Sequence, residues 1–341
     1  MADPAIAAHG LVKRFGPVVA LDGIDLAVQA GSVLGLLGPN GAGKTTAVRI
    51  LATILEPDAG QASVLGLDVV GQAEEVRAVI GLAGQYAAVD ENLTGRENLR
   101  LIGQLTHQPR PSIAARAEEL LDRFGLTSAA GRPVRTYAGG RRRRLDLAAA
   151  LVHRPPVLFL DEPTTGLDPN GRSDLWTLIG ELVADGTTVL LTTQYLEEAD
   201  RLAGTIVVIN DGRIIAEGAP VELKASLGAT VVEIRVADPA DAARAAARLQ
   251  RIAHADVLDG RRTVAVKVPD KGPAVQQVIR LLDADAIIIE SLAIREPTLD
   301  DVFLQLTGHK AGTGPEESSA QPTGAAASIK EIPHDHAHRT S

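Results

Sequence analysis

Cysteine is absent from the 341 residues of this chain, so neither disulfides nor thiolate metal sites can form. Aromatic residues make up 2%, and Phe303 is one of four phenylalanines, so the apolar helix face that carries it is expected to dock against a domain. Basic residues are outnumbered, with 34 Lys and Arg against 43 Asp and Glu. The resulting net charge of −9 argues against non-specific nucleic-acid binding. The segment Met1 to Gly10 lacks the basic and apolar regions of a secretory signal. Leu26 to Gly43 is uncharged for 18 residues, but its five glycines and Pro39 exclude a membrane helix. If this chain serves transport across a membrane, the channel must be another polypeptide. No Asn-Lys-x-Asp base-reading motif is found, which disfavours a GTPase.

What is present is a complete phosphate-binding loop. Gly38, Pro39, Asn40, Gly41, Ala42, Gly43, Lys44, Thr45 and Thr46 spell the P-loop pattern. Its glycines let successive backbone N–H groups turn toward phosphate oxygens. Lys44 supplies a point charge for the β- and γ-phosphates, and Thr45 a hydroxyl for Mg²⁺. Ser32 to Leu37 reads as a buried strand before the loop, and Thr46 to Leu55 as a helix with its positive end toward the phosphates. A second apolar run, Val157 to Leu160, ends in Asp161 and Glu162. It suits a parallel strand opening beside the loop, with Asp161 toward Mg²⁺ and Glu162 toward the attacking water.

Further pieces in fixed order resemble the ATP-binding cassette (ABC) family over about residues 5–225. Gln85 stands at the Q-loop, Tyr137-Ala138-Gly139-Gly140-Arg141 at the signature, Gly166-Leu167-Asp168 at the D-loop, and Gln194 at the switch. Phe15 sits where an aromatic ring stacks on adenine. The resemblance implies Mg-ATP as cofactor and catalytic roles for Lys44, Gln85, Glu162 and Gln194. It implies metal contacts from Thr45, Gln85 and Asp161, and a head-to-tail homodimer sandwiching two ATP molecules. Ala138, Gly139, Gly140 and Asp168 would then touch nucleotide bound across the interface, the glycine N–H groups acting as a second anion site. It also implies a separate membrane permease and a peripheral position on the cytoplasmic face of the cell membrane.

Three positions depart from the family pattern, one of them Arg141, where an uncharged side chain is more usual. Serine is usual at Ala138, where it would cap the signature helix and reach the γ-phosphate. Histidine is usual at Gln194, which can donate a hydrogen bond but cannot titrate. That glutamine, together with Pro297 to Phe303, resembles the drug-resistance branch, the ATPases of daunorubicin-type exporters. The leading expectation is therefore an ATPase that powers export of a drug or antibiotic-like hydrophobic compound. The alternative is an ATP-dependent dimerisation switch with little hydrolysis. A soluble ABC protein acting on ribosomes or DNA is disfavoured by the single cassette and the acidic balance.

Domain organisation follows from the same patterns. Residues 1–222 are expected to form a P-loop α/β domain, which the resemblance resolves into a RecA-like core, an antiparallel β subdomain and a helical subdomain over about 90–151. The run Arg141 to Arg144 is read as a solvated or interface face of the signature helix. Residues 225–308 read as strand, helix, hairpin, helix, strand, a small α+β ferredoxin-like plan, closed by an apolar face of Leu299, Val302, Phe303 and Leu306. Residues 310–341 are polar and rich in small residues, and read as a disordered tail. Its alternating His334, His336 and His338 lack the support that ligating histidines need.

Overall fold

The computed structural model describes residues 3–84, 89–226, 230–251, 253–258, 262–268, 271–295 and 298–307. Gln85, the hairpin tip Asp259 to Arg261, Pro297 and the histidine-bearing tail lie outside the described residues.

The chain opens with an antiparallel sheet of β1 (Ile6–Phe15), β2 (Val18–Val28), β4 (Ala59–Val64) and β5 (Leu67–Asp68), in the order β2-β1-β4-β5. The second sheet holds β3 (Val33–Leu37), β6 (Ile80–Ala83), β7 (Val157–Asp161), β8 (Thr188–Thr193), β9 (Thr205–Asn210) and β10 (Arg213–Gly218). Its order is β10-β9-β3-β8-β7-β6, parallel except for the edge strand β10. Because successive side chains alternate across a strand, each face of this sheet fills a different core. Leu34, Leu36, Val157, Phe159 and Leu190 pack with the first sheet and with α1 (Lys44–Leu51). Leu37, Leu158, Leu160, Val189 and Leu191 pack on the opposite side with the helical segment. Burial on both faces explains why these strands read as continuous apolar runs.

Helix α2 (Ala73–Val79) leads into β6. The helical segment comprises α3 (Gly95–Leu105), α4 (Arg110–Arg123) and α5 (Gly139–Ala150). Thr94 and Glu97 form a reciprocal capping box at the start of α3. The sequence patterns place Pro109 and Pro111 between two helices. Instead α4 begins at Arg110, with Pro109 as its N-cap and Pro111 in its first turn, where a missing N–H costs no helical bond. Helix α6 (Pro169–Ala184) joins β7 to β8, and α7 (Leu196–Leu202) joins β8 to β9.

After α8 (Pro220–Ser226) come β11 (Thr230–Val236), α9 (Pro239–Leu249), β12 (His254–Val257), β13 (Thr263–Val268), α10 (Lys271–Ala284) and β14 (Ile289–Arg295). Their sheet is antiparallel in the order β12-β13-β11-β14, the ferredoxin-like arrangement, with its own apolar core against α9 and α10. The last helix, α11 (Leu299–Thr307), does not join that core. Leu299, Val302 and Phe303 are buried with Leu196 and Ala199 of α7 and Leu223 of α8. Leu306, expected on the same buried face, is 42% exposed, because the final turn runs past the core. Among the described residues no helix is long and apolar enough to cross a membrane.

Candidate nucleotide site

Parallel α/β sheets open their ligand crevice at the carboxyl ends of their strands. Here β3, β8 and β7 are neighbours, and their carboxyl ends deliver the P-loop, the Thr193-Gln194 switch and the Asp161-Glu162 pair to one place. The register is tight, with Leu37 opposite Thr193 and Asp161 opposite Thr192.

The P-loop conformation depends on two glycines in particular. A Cβ on Gly38 would stand 2.3 Å from the Ile209 carbonyl oxygen. Gly43, the N-cap of α1, has φ of 110°, and a Cβ there would stand 2.4 Å from the Ala20 carbonyl oxygen. Lys44 folds back over the loop, donating to the carbonyls of Gly38 at 2.8 Å and Pro39 at 3.0 Å. Its ammonium lies 3.9 Å from Glu162 Oε1. Burial holds it below the ordinary lysine range, against the opposing pull of Glu162 and Asp161. Asn40, Gly41, Gly43, Lys44, Thr45, Thr46 and Glu162 line a pocket of ≈ 250 Å³. A larger groove of ≈ 400 Å³ lies elsewhere, between α4 and the turn after α6, where Arg116 and Arg123 are already paired with Glu119, Glu181 and Asp185.

The Thr45 hydroxyl donates to Asp161 Oδ1 at 3.2 Å, and the Thr192 hydroxyl donates to the same oxygen at 2.5 Å. A hydroxyl and a carboxylate this close to a phosphate loop are a hard-oxygen donor set, which fits Mg²⁺ completed by phosphate oxygens and water. Clusters of three or more His, Cys, Asp or Glu are absent among the described residues, so nothing suggests an all-protein cage.

Glu162 is held by its backbone. Its φ of 49° is left-handed for a residue with a side chain, a conformation that costs about 1–3 kcal/mol and persists only where its surroundings impose it. Its N–H donates to both the carbonyl and the hydroxyl oxygen of Thr192, each at 3.1 Å. The Thr165 hydroxyl donates to Glu162 Oε2 at 3.2 Å.

Other predicted positions do not line this pocket within the one chain. Phe15, 49% exposed, ends β1 with the Lys13 ammonium 5.9 Å from its ring centre. Asp168 caps α6 by accepting from the Gly171 N–H at 3.0 Å. Ala138 is the N-cap of α5, in extended conformation and without a side-chain cap bond. Ala138 and Gly139 face solvent, and a Cβ on Gly139 would meet nothing within 4 Å. Gln194 follows β8 directly and is partly exposed.

Two charged residues with a part in this geometry escape the sequence reading. Arg143 is not on a solvated face; its guanidinium turns inward to the main chain behind Asp161 and Glu162. The usable signal is helical spacing, since Arg143 shares a face with the buried Leu147 and Ala150. Glu198 is fully buried, accepting from the Thr164 hydroxyl at 3.3 Å and the Trp176 indole N–H at 3.2 Å. Burial raises its pKa above the ordinary 4.5, against hydrogen bonds led by that from Thr193. A carboxyl raised in this way binds its proton more tightly folded than unfolded. The contribution of Glu198 to stability is therefore greatest below pH 4.5, declines as pH rises through the raised value, and levels off above it. Glu198→Gln is expected to remove that decline and to match or exceed the parent at neutral pH. Urea midpoints measured across a pH series check this, and parallel profiles for the two proteins would refute it.

A family model described as ABC transporter matches residues 21–165. A second, described as the C-terminal domain of DrrA1-3-like ATP-binding proteins, matches residues 218–307. The chain is 53% identical over 310 residues to daunorubicin resistance ATP-binding protein DrrA2 of Streptomyces coeruleorubidus, covering 90% of this chain and 96% of that one. It is 47% identical to daunorubicin/doxorubicin resistance ATP-binding protein DrrA of Streptomyces peucetius, covering 93% and 96%. Nod factor export ATP-binding protein I of Ralstonia nicotianae is 38% identical, covering 90% and 95%. Among solved structures, an ATP-binding subunit of an ABC transporter aligns with a TM-score of 0.61 at 26% identity, covering 66% of this chain and 93% of its own. The ADP- and phosphate-bound dimer of the cassette MJ0796 shares the fold, with a TM-score of 0.59 at 24% identity over 63% and 98% of the two chains.

Proposed function

From the premise that this chain belongs to the ABC family of ATP-binding proteins, we propose that it powers a drug-resistance exporter through an ATP-sandwich homodimer docked on a separate membrane permease. It is an ABC-type ATPase subunit, and its cofactor is ATP. The observation that carries the proposal is the meeting of the P-loop, Asp161 and Glu162 at the ends of adjacent strands.

Each role follows from that placement. The loop amides and Lys44 bind the phosphates. Thr45 and Asp161 would hold Mg²⁺, whose chemistry is to neutralise charge on the β- and γ-phosphate oxygens. Glu162 orients a water and accepts its proton, while Gln194 donates to the γ-phosphate from its side-chain amide. Gln85 would help to hold Mg²⁺, and Phe15 would stack on the base. Ala138, Gly139, Gly140 and Asp168 would complete the partner's site, in keeping with their absence from the lining of the same-chain pocket. The cargo class rests on the daunorubicin and doxorubicin relatives and extends to antibiotic-like hydrophobic compounds. Such a subunit works from the cytoplasmic face of the membrane. The residue ranges 1–222, 225–308 and 310–341 are the corresponding domain division.

Light scattering and phosphate release on the purified chain test the proposal. Mg-ATP is expected to produce a dimer and steady turnover, and EDTA to abolish the turnover. A dimer without turnover would favour a nucleotide switch, the reading prompted by Ala138. Neither dimer nor turnover, even with the cognate permease present, would overturn the proposal.

A further inference from the structure

Helix α5 meets the nucleotide machinery twice. Its first turn holds Gly139 and Gly140, which the proposed dimer presents to the partner's ATP. Three residues beyond Gly140, about 4.5 Å along the axis, Arg143 faces the other way into its own subunit. Its Nε donates to the Pro163 carbonyl at 2.8 Å and its Nη1 to the Gly84 carbonyl at 2.5 Å. Its Nη2 donates to the carbonyls of Asp161 at 3.0 Å and Glu162 at 2.7 Å. One guanidinium thus joins α5 to the residue before Gln85 and to three consecutive residues at the end of β7.

The choice of acceptors is informative. All four bonds go to main-chain carbonyls, so they fix backbone position without occupying the carboxylates. Asp161 Oδ1 is engaged by Thr45 and Thr192, and Glu162 Oε2 by Thr165. The left-handed turn at Glu162 therefore has its N–H fixed from β8 and its carbonyl from α5. A planar fork with several rigidly disposed donors can make this set, and a lysine ammonium on a flexible stem cannot reproduce it.

We infer that Arg143 is a positioning residue that couples the two ATP sites, passing movement of α5 on the partner's nucleotide to Asp161 and Glu162 of its own site. The coupling between sites rests on the sandwich dimer proposed above, whereas the hold on Gly84 and Asp161 to Pro163 stands on the distances alone. Coupling of this kind appears as cooperativity in ATP, with a Hill coefficient between one and the number of sites.

The test compares the full chain with Arg143→Met and Arg143→Lys, each checked by thermal melting. Binding of a fluorescent ATP analogue is expected to stay within about twofold, kcat to fall about tenfold in the Met variant, and the Hill coefficient to drop toward one. The Lys variant is expected to be intermediate in kcat but equally non-cooperative. A folded Met variant with parental kcat and Hill coefficient overturns the inference, as does a rise in KM alone. Should the Met variant fail to fold, the same readings on the Lys variant decide. Amide hydrogen exchange in nucleotide-free protein separates this outcome from failure of the dimer reading. If the parent neither dimerises nor turns over, that reading fails. Arg143 is then judged by faster exchange at Gly84, Asp161 and Glu162 in the variants, and unchanged exchange overturns its positioning role.

Discussion

Glu162→Gln is expected to lower steady-state ATP turnover by about 10²–10⁴-fold, the usual contribution of a positioned general base. The substitution keeps side-chain shape and an acceptor for the Thr165 hydroxyl, now 3.2 Å from Oε2. It leaves the backbone bonds to Thr192 untouched, so the left-handed turn should persist. What disappears is the ability to take a proton from water, together with a negative charge 3.9 Å from the Lys44 ammonium. Losing that charge removes repulsion toward a γ-phosphate, so ATP should bind at least as well. The variant should therefore accumulate as an ATP-bound dimer that does not dissociate. Phosphate release and light scattering on the same sample read both quantities. Turnover within a few-fold of the parent would remove Glu162 from the chemistry.

The second expectation runs in the opposite direction. Ala138→Ser should raise turnover, because the backbone of Ala138 already has the extended geometry of an N-cap and lacks only the side-chain acceptor. A serine there can accept from an N–H in the first turn of α5, which is typically worth about 1 kcal/mol of stability. In the closed dimer its hydroxyl can instead donate to the partner's γ-phosphate. A hydrogen bond to a charged group is worth about 1.5–3 kcal/mol. Expressed in the transition state alone, that is about a tenfold to hundredfold gain in kcat. Thermal melting and ATPase assays distinguish the two uses of the hydroxyl. Higher stability with unchanged kcat would show that the side chain caps its helix without touching nucleotide.

Much of this site is readable from spacing because its parts are contiguous in sequence. The P-loop occupies Gly38 to Thr46, and Asp161 and Glu162 end an apolar strand. Such residues are fixed by local backbone geometry, and local geometry leaves a local trace. The ferredoxin-like order from β11 to β14 is legible for the same reason, each element having its own period. The residues that escape detection act across the fold. Arg143 stands among four consecutive arginines, a pattern that suggests solvent, and only the positions of Gly84 and β7 make it an internal tie. Glu198 lies in an acidic stretch, yet Trp176 and Thr164 from distant segments enclose it. Thr192 looks like an ordinary strand residue until pairing with β7 brings its hydroxyl to Asp161. Leu306 fails for a simpler reason: helical spacing specifies a face, whereas the extent of the neighbouring surface decides how much of that face is covered.

The placement of α11 changes the mechanics of the C-terminal quarter. A domain that merely followed the cassette would hang from one strand of chain and tumble at the end of it. Here the ferredoxin-like sheet is entered from α8 and left toward α11, and both helices are seated in the apolar core that contains α7. Two attachment points turn a pendant into a handle. Because α7 begins two residues after Gln194, that handle is seated by packed side chains on the helix that follows the nucleotide switch.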